Sequence, residues 1–351
     1  MTSNRTVAVF GGYGHTGAFI VAQLLRKGLR PILSGRDIHK LKTIAEAHGG
    51  LETRVASIDD PLSLDQAIDG ATAVINCAGP FSVTSVPVID AALRARMPYL
   101  DVVAEPDIAA ATFERYADRA RDAGVAIVPA AGFYGGLGDL LSTAAMGEWL
   151  QADEITLAYA LNSWKPTLGT RATIKTAEER RGGRRLVFSG GRLELRADSA
   201  PTLEWTFPKP IGTQPVAAEF TTADSVTMSR HLAVKEIREY MTLAPLKDLS
   251  DPDLSPPSAV YASGHSAQTF LIEAVVRSDG AERRAIASGR DIYAITAPLV
   301  VEAAQRLLAS GASVSGVVAV GELADARDFL KALSSEHFNA ELREHWPRAA
   351  G

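Results

Sequence analysis

The chain has 351 residues, of which 46% are hydrophobic and 22% are charged, the composition of an ordinary globular protein with room for two domains. The formal net charge of −5 argues against a nucleic-acid-binding role for the whole chain, so no nucleic acid partner is expected. The single cysteine, Cys77, excludes a disulfide framework within the chain and a cysteine-based zinc site, and no metal site is predicted.

The sequence contains no uninterrupted run of about 18 apolar residues, so no membrane span is expected. The first five residues lead directly into an apolar stretch, without the hydrophobic region of a secretory signal. These two observations make a cytoplasmic location the expectation for this chain.

A glycine-rich turn near the N-terminus organises the rest of the chain. Residues 7–10 have the composition of a short buried strand, and residues 18–25 have the apolar spacing of a helix that packs on a sheet. Between them lie Gly12, Gly14 and Gly17, in the spacing of a dinucleotide-binding turn. Gly12 permits the tight turn, Gly14 lets the backbone approach a pyrophosphate, and Gly17 lets helix and strand pack closely. Free N–H groups at the helix start then face the phosphates.

The end of the second predicted strand indicates which dinucleotide binds. NAD sites usually place an acidic residue about 20 residues beyond the glycines, to bind the ribose 2′-hydroxyl. This chain has Ser34, Gly35 and Arg36 there, and a guanidinium group can pair with a 2′-phosphate. The sequence therefore predicts NADP. Two alternatives stay open: Asp37 binds the ribose of NAD, or Arg36 is a solvated surface residue.

Six predicted strands alternate with helices in the first 130 or so residues, which indicates an α/β fold with a doubly wound parallel sheet, the Rossmann arrangement. The fourth strand, residues 72–77, ends in a loop at the carboxyl edge of the sheet, where open α/β sheets bind ligands. Cys77 lies at that edge, and we interpret it as a small buried packing residue rather than a nucleophile.

Four segments resemble the saccharopine dehydrogenase-like oxidoreductases, and among these the branch that includes trans-acting enoyl reductases. They are residues 11–17, 33–37, 74–81 and 99–105, with a weaker return at residues 291–297. The Asn-Cys-Ala-Gly-Pro-Phe block together with Tyr-Leu-Asp is specific, whereas the glycine motif alone is not. The resemblance covers about the first 140 residues. The family often has Asp where this chain has Ser57, and Gly where it has Ala104.

The resemblance implies that the first domain binds NADP(H). It places the glycine turn at the pyrophosphate, Arg36 at the adenosine phosphate, and the loop after the fourth strand beside the nicotinamide ribose. The predicted cofactor-binding residues are Gly12, Tyr13, Gly14, His15, Thr16, Gly17, Ser34, Gly35, Arg36, Ser57, Ala78, Gly79, Pro80 and Phe81.

The middle of the chain is β-rich with intervening helices, unlike the first domain, and is predicted to carry the substrate site and a dimerisation surface. By the resemblance, the last 60 or so residues pack back on the first domain, which makes the middle region an inserted α+β domain. The predicted boundaries are 1–132 for the Rossmann domain, 133–290 for the inserted domain and 291–351 for the returning segment.

The residues that carry the chemistry are harder to predict. Tyr134 stands at the domain junction, where its hydroxyl could donate a proton after hydride transfer. Lys165 and Arg171 flank a predicted helix start, a combination that suits a carboxylate or phosphate group of a substrate. The alternatives are a packing role for Tyr134 and a solvated basic loop. Residues 180–185 are predicted to be a mobile surface loop, and His231 has no recognisable partner in the sequence.

The sequence therefore predicts an NADP(H)-dependent oxidoreductase that reduces a C=N or an activated C=C bond of a small-molecule substrate, with a homodimer as the expected assembly. The bond type rests on the family resemblance alone. The alternative is a non-catalytic dinucleotide-binding scaffold or regulatory protein, because no proton donor is identified with the clarity of the glycine turn.

Overall fold

The structure, a computed structural model, describes residues 5–310, 314–334 and 336–343. The N-terminal part forms a parallel sheet from strands β1 to β6, which alternate with helices α1 to α5 on its two faces. The strands are β1 Thr6–Phe10, β2 Arg30–Gly35, β3 Thr53–Val55, β4 Ala73–Asn76, β5 Tyr99–Asp101 and β6 Ala126–Val128. The helices are α1 His15–Arg26, α2 Ile38–Ala47, α3 Pro61–Ile68, α4 Phe81–Arg94 and α5 Pro106–Ala123.

The strand order of this sheet is β3-β2-β1-β4-β5-β6, and every pairing in it is parallel. The order reverses between β1 and β4, which creates the crevice at the carboxyl edge where such sheets bind ligands. Val7, Ala8 and Val9 of β1 are at most 1% exposed, because helices cover both faces of the sheet. The predicted doubly wound parallel sheet is confirmed.

A second, mixed sheet follows in the chain. Its strands are β7 Ala152–Leu161, β10 Thr202–Phe207, β11 Gly212–Ala218, β12 Val234–Thr242, β13 Thr269–Ser278, β14 Ala281–Arg290 and β16 Phe338–Arg343, in the order β10-β11-β12-β7-β13-β14-β16. Strand β12 runs parallel to β7, and the other neighbours are antiparallel. A separate hairpin joins β8 Arg185–Ser189 to β9 Arg192–Arg196.

Further α-helices lie in the part of the chain that follows β6, between the strands of the second sheet and between the two sheets. They are α6 Leu137–Met146, α7 Leu168–Arg181, α8 Ala223–His231, α9 Leu243–Ser250, α10 Ile292–Ser310 and α11 Ala326–Leu333. Apolar residues of both sheets and of α6 and α10 share one hydrophobic core. This continuity fixes the second sheet relative to the carboxyl edge of the first.

The chain returns to the first sheet after α10. Strand β15, Gly316–Val317, pairs in parallel with β6 as the seventh strand, and α10 packs against α1. The predicted insertion of a second domain is thereby confirmed. The final strand β16 instead pairs with β14 in the second sheet. The exact boundaries at residues 132 and 290 stay predictions, and positions 1–4, 311–313, 335 and 344–351 of the outer two segments lie outside the described residues.

One window of α10, Ile292–Ala309, is long and apolar enough to cross a membrane by length and composition, with a mean hydropathy of 1.3. This window is not an uninterrupted apolar run, because polar residues such as Glu302 and Arg306 lie within it. The window is 67% buried inside the protein, as in the core helix of a globular domain.

Candidate functional site

The turn between β1 and α1 has the backbone shape that a pyrophosphate requires. Gly11 adopts a positive φ of 88°, and its N–H donates to Ser34 O at 2.8 Å. A Cβ atom on Gly17 would lie 2.4 Å from Gly11 O, so only glycine allows this packing of helix against turn. No described side chain caps the start of α1 at Gly14. The first N–H groups of α1 are therefore available to an anion.

The region predicted to bind the adenosine end of the cofactor lies at the end of β2. A Cβ atom on Gly35 would lie 2.6 Å from the Tyr13 ring, so this ring covers Gly35. Arg36 is exposed and makes no ion pair or hydrogen bond with the residues that the structure describes. Its guanidinium group is thus available for a 2′-phosphate. Ser34 is buried, and its hydroxyl has no hydrogen-bond partner among the described residues. Ser57 lies on the turn before α3, where its hydroxyl accepts from Asp59 N at 3.3 Å.

Asp37, the residue of the NAD alternative, has a structural role. Its carboxylate accepts hydrogen bonds from His39 N and Lys40 N, both at 3.1 Å, and so caps the N-terminus of α2. The hydrogen bond from Lys40 N is the main reason that the pKa of Asp37 is lowered. A carboxylate held in this way supports the helix rather than a ribose hydroxyl.

The loop after β4 is held by buried polar side chains. Asn76 accepts from Ala78 N at 3.1 Å and donates to Tyr99 Oη at 3.2 Å, and Thr84 Oγ1 donates to Ala78 O at 2.5 Å. The Cys77 thiol donates to the Phe10 carbonyl, and burial raises its pKa to about 12. Cys77 is therefore an inert packing residue, as the sequence indicated.

Helix α7 of the inserted domain lies across this edge. A Cβ atom on Gly79 would lie 3.2 Å from Thr173 Oγ1, so the loop and the helix are in close contact. At the far end of α7, Arg180 and Arg181 pair with Asp107 in the first turn of α5, at 2.8 and 2.9 Å. The predicted mobile surface loop at residues 180–185 is corrected in part, because Arg180 and Arg181 end α7 and Arg185 begins β8, whereas residues 182–184 form an exposed turn between them. Helix α7 thus spans the edge from the β4 loop to α5.

The start of α7 is fixed by one tyrosine hydroxyl. Tyr293 Oη accepts from Trp164 Nε1 and is hydrogen-bonded to Thr170 Oγ1, both at 3.0 Å. Thr167 Oγ1 accepts from Thr170 N at 3.1 Å as the cap of α7. On its other side the Tyr293 ring meets the His15 ring edge-on, with centroids 5.3 Å apart. This arrangement brings the phosphate turn and the start of α7 together.

The His15 side chain lies where the phosphate turn meets the start of α7. Its ring packs edge-on against Phe19 as well as Tyr293, and Nε2 has no hydrogen-bond partner in the described part of the chain. Burial lowers the pKa of His15, so the ring is neutral at pH 7. Nε2 is available to a ligand group at the predicted phosphate position.

The three predicted catalytic residues have different environments. Tyr134 is 6% exposed and stacks on Trp164 at 5.1 Å, and its hydroxyl has no partner within the described ranges. Burial raises its pKa well above 10, which makes it a weaker acid than an ordinary tyrosine. Lys165 has an exposed side chain beside the start of α7. Arg171 donates to Asp251 O and Leu254 O, at 3.1 and 2.6 Å, so it anchors a loop. The three catalytic assignments stay predictions.

His231, for which the sequence offered no partner, lies against a buried carboxylate. Its Nε2 is 2.7 Å from Asp139 Oδ1, and Asp139 Oδ2 accepts from Gly321 N at 2.9 Å. Although burial opposes the charge, the Asp139 carboxylate raises the pKa of His231. The pair joins α6 and α8 to the returning segment, over 92 positions that no local pattern connects.

Sequence reasoning also missed a buried acidic pair, Asp224 and Glu239. The Thr222 hydroxyl lies 2.7 Å from an oxygen of each carboxyl group. Because a hydroxyl has one hydrogen to donate, the second contact requires a proton on one of the carboxyl groups. Burial raises the pKa of both acids, and the negative charge of Asp224 raises that of Glu239 further. The pair lies close to Tyr134 at the domain junction, since Tyr159 Oη donates to Asp224 at 2.8 Å and the Tyr159 ring packs on the Tyr134 ring.

We expect Glu239→Gln to stabilise the protein at alkaline pH. A carboxyl group with a raised pKa in the folded state supports folding below its ordinary pKa of about 4.5, and this support is lost as the pH rises through the folded value. Glutamine copies the protonated form. The free energy of unfolding of the variant should match the parent near pH 5 and exceed it at pH 8 to 9, by up to about 1.4 kcal/mol per pH unit.

Urea unfolding at several pH values measures this difference. The matched control is Glu204→Gln, an exposed carboxyl on β10, which should show a constant offset across the same range. A Glu239→Gln variant whose stability falls with pH as steeply as the parent's would show that Glu239 is ionised in the folded protein.

Comparisons with known proteins bear on the first of the two domains. Residues 7–128 match a family model described as the saccharopine dehydrogenase NADP binding domain. These residues belong to that family. The predicted recognition is confirmed, and the cofactor of this domain is NADP(H). The turn at Gly14, the open His15 nitrogen and the free Arg36 guanidinium group form a donor set that suits a dinucleotide carrying a third phosphate.

Relatives of known name agree with this assignment over the same part of the chain. A human saccharopine dehydrogenase-like oxidoreductase is 30% identical over 145 residues, which cover 36% of this chain and 34% of the relative. A trans-acting enoyl reductase of Mycobacterium ulcerans is 25% identical over 133 residues, covering 36% and 32%. The chain thus matches about a third of the length of these relatives.

One solved structure is similar to the whole chain. It is the apo saccharopine dehydrogenase (L-Glu forming) of Saccharomyces cerevisiae, with a TM-score of 0.65 over 96% of this chain and 99% of that one, at 10% identity. At this identity the likeness shows the fold alone. It extends the fold assignment from the NADP(H)-binding domain to the inserted domain and the returning strand.

Proposed function

We propose that this protein is an NADPH-dependent reductase of a small metabolite, acting on a C=N or an activated C=C bond. The observation that carries the proposal is the position of α7, which contacts the loop at Gly79 and the first turn of α5 at Asp107. A helix in that position covers the carboxyl edge, where the nicotinamide would lie if the cofactor binds as the resemblance implies. A domain that only stores a dinucleotide does not need this cover, whereas hydride transfer does.

The chain's own residues would perform three tasks. The turn at Gly14 would bind the central pyrophosphate of the cofactor and the guanidinium group of Arg36 its 2′-phosphate, which orients the rest of the molecule. NADPH, when bound, supplies the hydride. Helix α7 excludes water and holds the substrate near the reacting carbon, since donor and acceptor must approach to about 3–3.5 Å. The exposed amine of Lys165, beside the start of α7, is the proposed contact for an anionic substrate group.

The names of the relatives support both bond types. One is called a saccharopine dehydrogenase-like oxidoreductase and another a trans-acting enoyl reductase. Because the match covers about a third of each relative, the activity of this chain remains our proposal. A homodimer and a cytoplasmic location, both expected from the sequence, belong to the same proposal, and light scattering of the purified protein would test the dimer.

The test is steady consumption of NADPH, followed at 340 nm, with one probe for each bond type. A cyclic imine such as 1-pyrroline represents C=N, and the N-acetylcysteamine thioester of crotonic acid represents activated C=C. We expect turnover with one of the two classes and product that carries one deuterium when deuterated NADPH is used. A protein that binds NADPH but oxidises it with neither class would instead be the dinucleotide-binding scaffold of the alternative hypothesis.

A further inference from the structure

Glu105 is a buried acid at the carboxyl edge of the first sheet. It occupies the cap position of α5, four residues after the end of β5, and β5 is the neighbour of β4, the strand that leads into the Gly79 loop. Its side chain is 5% exposed. Oε2 accepts from Ala104 N at 3.2 Å, whereas Oε1 has no hydrogen-bond partner among the residues that the structure describes.

The inserted domain closes over this carboxyl group. Ala223 N, at the start of α8, donates to Ala104 O at 3.0 Å, and the end of α7 is tied to Asp107 two residues further along. Phe81, which begins α4 directly after the cofactor loop, belongs to the same apolar cluster as Val103 and Ala223. Ala104 and Asp107, on either side of Glu105, are thus both held by the inserted domain, and an apolar cluster that contains Val103 lies beside them.

The charges that face Glu105 are few and oppose each other. Asp107 on α5 disfavours its ionisation, and Arg180 on α7 favours it, but both are secondary to burial. Burial raises the pKa of Glu105 to about 7. A buried carboxyl oxygen without a partner costs about 1–3 kcal/mol, which a purely structural residue would not need to incur.

A reduction of the proposed kind needs one proton as well as one hydride. A proton donor works best when its pKa lies near the operating pH. Tyr134 does not meet this requirement, because its pKa is raised well above 10. Lys165 has an exposed side chain, outside the apolar surroundings of the covered edge. Glu105 meets both requirements of acidity and enclosure.

We propose that the Glu105 carboxyl group lies beside the nicotinamide end of the cofactor site and donates the proton that completes the reduction. The inference rests on the proposed function for its second half. In that reaction one atom of the C=N or C=C bond accepts a hydride from NADPH, and the other accepts the Glu105 proton. The products are the reduced bond, NADP⁺ and the Glu105 carboxylate, which regains its proton from water.

The first test needs no substrate. NADP⁺ carries a positive ring that NADPH lacks, so a carboxyl group beside the ring should ionise more readily when NADP⁺ binds. The affinity for NADP⁺ relative to NADPH should rise about tenfold or more between pH 5.5 and 8.5, because an opposite charge within 4–6 Å lowers a carboxyl pKa by about 1–3 units. The ratio cancels the titration of the 2′-phosphate, which both forms share. NADPH fluorescence and competition by NADP⁺ give the two affinities.

Glu105→Gln should make this ratio independent of pH, and Glu114→Gln, an exposed acid on the same helix, should leave the dependence intact. An unchanged pH dependence in Glu105→Gln would overturn the placement, as would a parent ratio that does not vary with pH. This result does not depend on turnover, so it decides the position of Glu105 even if no probe substrate is reduced.

The second test uses whichever probe is turned over. Glu105→Gln should lower kcat by about 100-fold or more with the NADPH affinity unchanged, since removal of a general acid costs about 10²–10⁴-fold in rate. Glu105→Asp should recover part of the loss. A Gln variant with the parent's kcat would overturn the proton-donor role while leaving the reductase proposal in place. Absence of turnover in the parent would contradict the reductase proposal and, with it, the proton-donor role.

Discussion

Gly14→Val is expected to lower the affinity for NADPH by at least about 100-fold in a protein that remains folded. The valine side chain would occupy the position where the pyrophosphate approaches the backbone. Hydrogen bonds to a charged group contribute about 1.5–3 kcal/mol each, so the loss of two of them accounts for this factor. Fluorescence titration of NADPH, with circular dichroism as the check on folding, measures the result.

The structure explains why Gly14 is the position to change. A Cβ atom there would lie 3.2 Å from Gly11 O, a contact that a shift of a few tenths of an ångström relieves. At Gly17 the corresponding distance is 2.4 Å, so that substitution would disrupt the turn itself. Ala22→Val, on an exposed position of α1, is the control for a valine in this helix and should bind NADPH like the parent. A folded Gly14→Val variant with the parent's affinity would contradict the phosphate site.

Arg36→Ala is expected to weaken NADPH binding tenfold to about a hundredfold and to change NADH binding little. Only NADPH carries the 2′-phosphate, and a charge-assisted pair with it is worth about 1.5–3 kcal/mol. Because Arg36 is exposed and has no ion pair or hydrogen bond within the described ranges, its removal should leave stability nearly unchanged. Titration of both cofactors with the same variant separates the phosphate contact from any general effect.

Arg30→Ala is the matched control for the loss of a positive charge. Arg30 is exposed and begins β2, whereas Arg36 directly follows the other end of that strand. Any change that arises from net charge alone should appear in both variants. Equal losses of NADPH and NADH affinity in Arg36→Ala would show that the side chain stacks on adenine or supports folding instead, and would remove the reason for the preference for NADP.

The cofactor half of the site could be predicted because its signals are local. Gly12, Gly14 and Gly17 lie within six consecutive residues, and their spacing alone predicts the dinucleotide-binding turn. The choice of Arg36 over Asp37 needed one further position. The structure strengthens that choice, because Asp37 is engaged as the cap of α2. The parallel, doubly wound character of the sheet followed from alternating strands and helices.

The second half of the site could not be predicted, because it is assembled from distant positions. Asp139 meets His231 across 92 residues, and Arg181 meets Asp107 across 74. The residues between them form two kinds of sheet, so no helical or strand period relates the partners. The predicted loop at residues 180–185 illustrates the problem. A run of arginines is typical of a solvated surface, and the sequence does not show that Asp107 pairs with two of them.

The sequence by itself determined the Rossmann domain, the phosphate turn and the preference for NADP, since each depends on short-range backbone geometry and on the charge of one side chain. The tertiary structure alone decided which elements of the inserted domain cover the carboxyl edge of the first sheet and which acidic side chains are buried away from water. Asp224 and Glu239 look like ordinary surface carboxylates in the sequence, and burial is the main cause that raises their pKa values and that of Glu105. Desolvation is a property of the packed neighbours on all sides of a group, and those neighbours come from chain segments that no local pattern brings together.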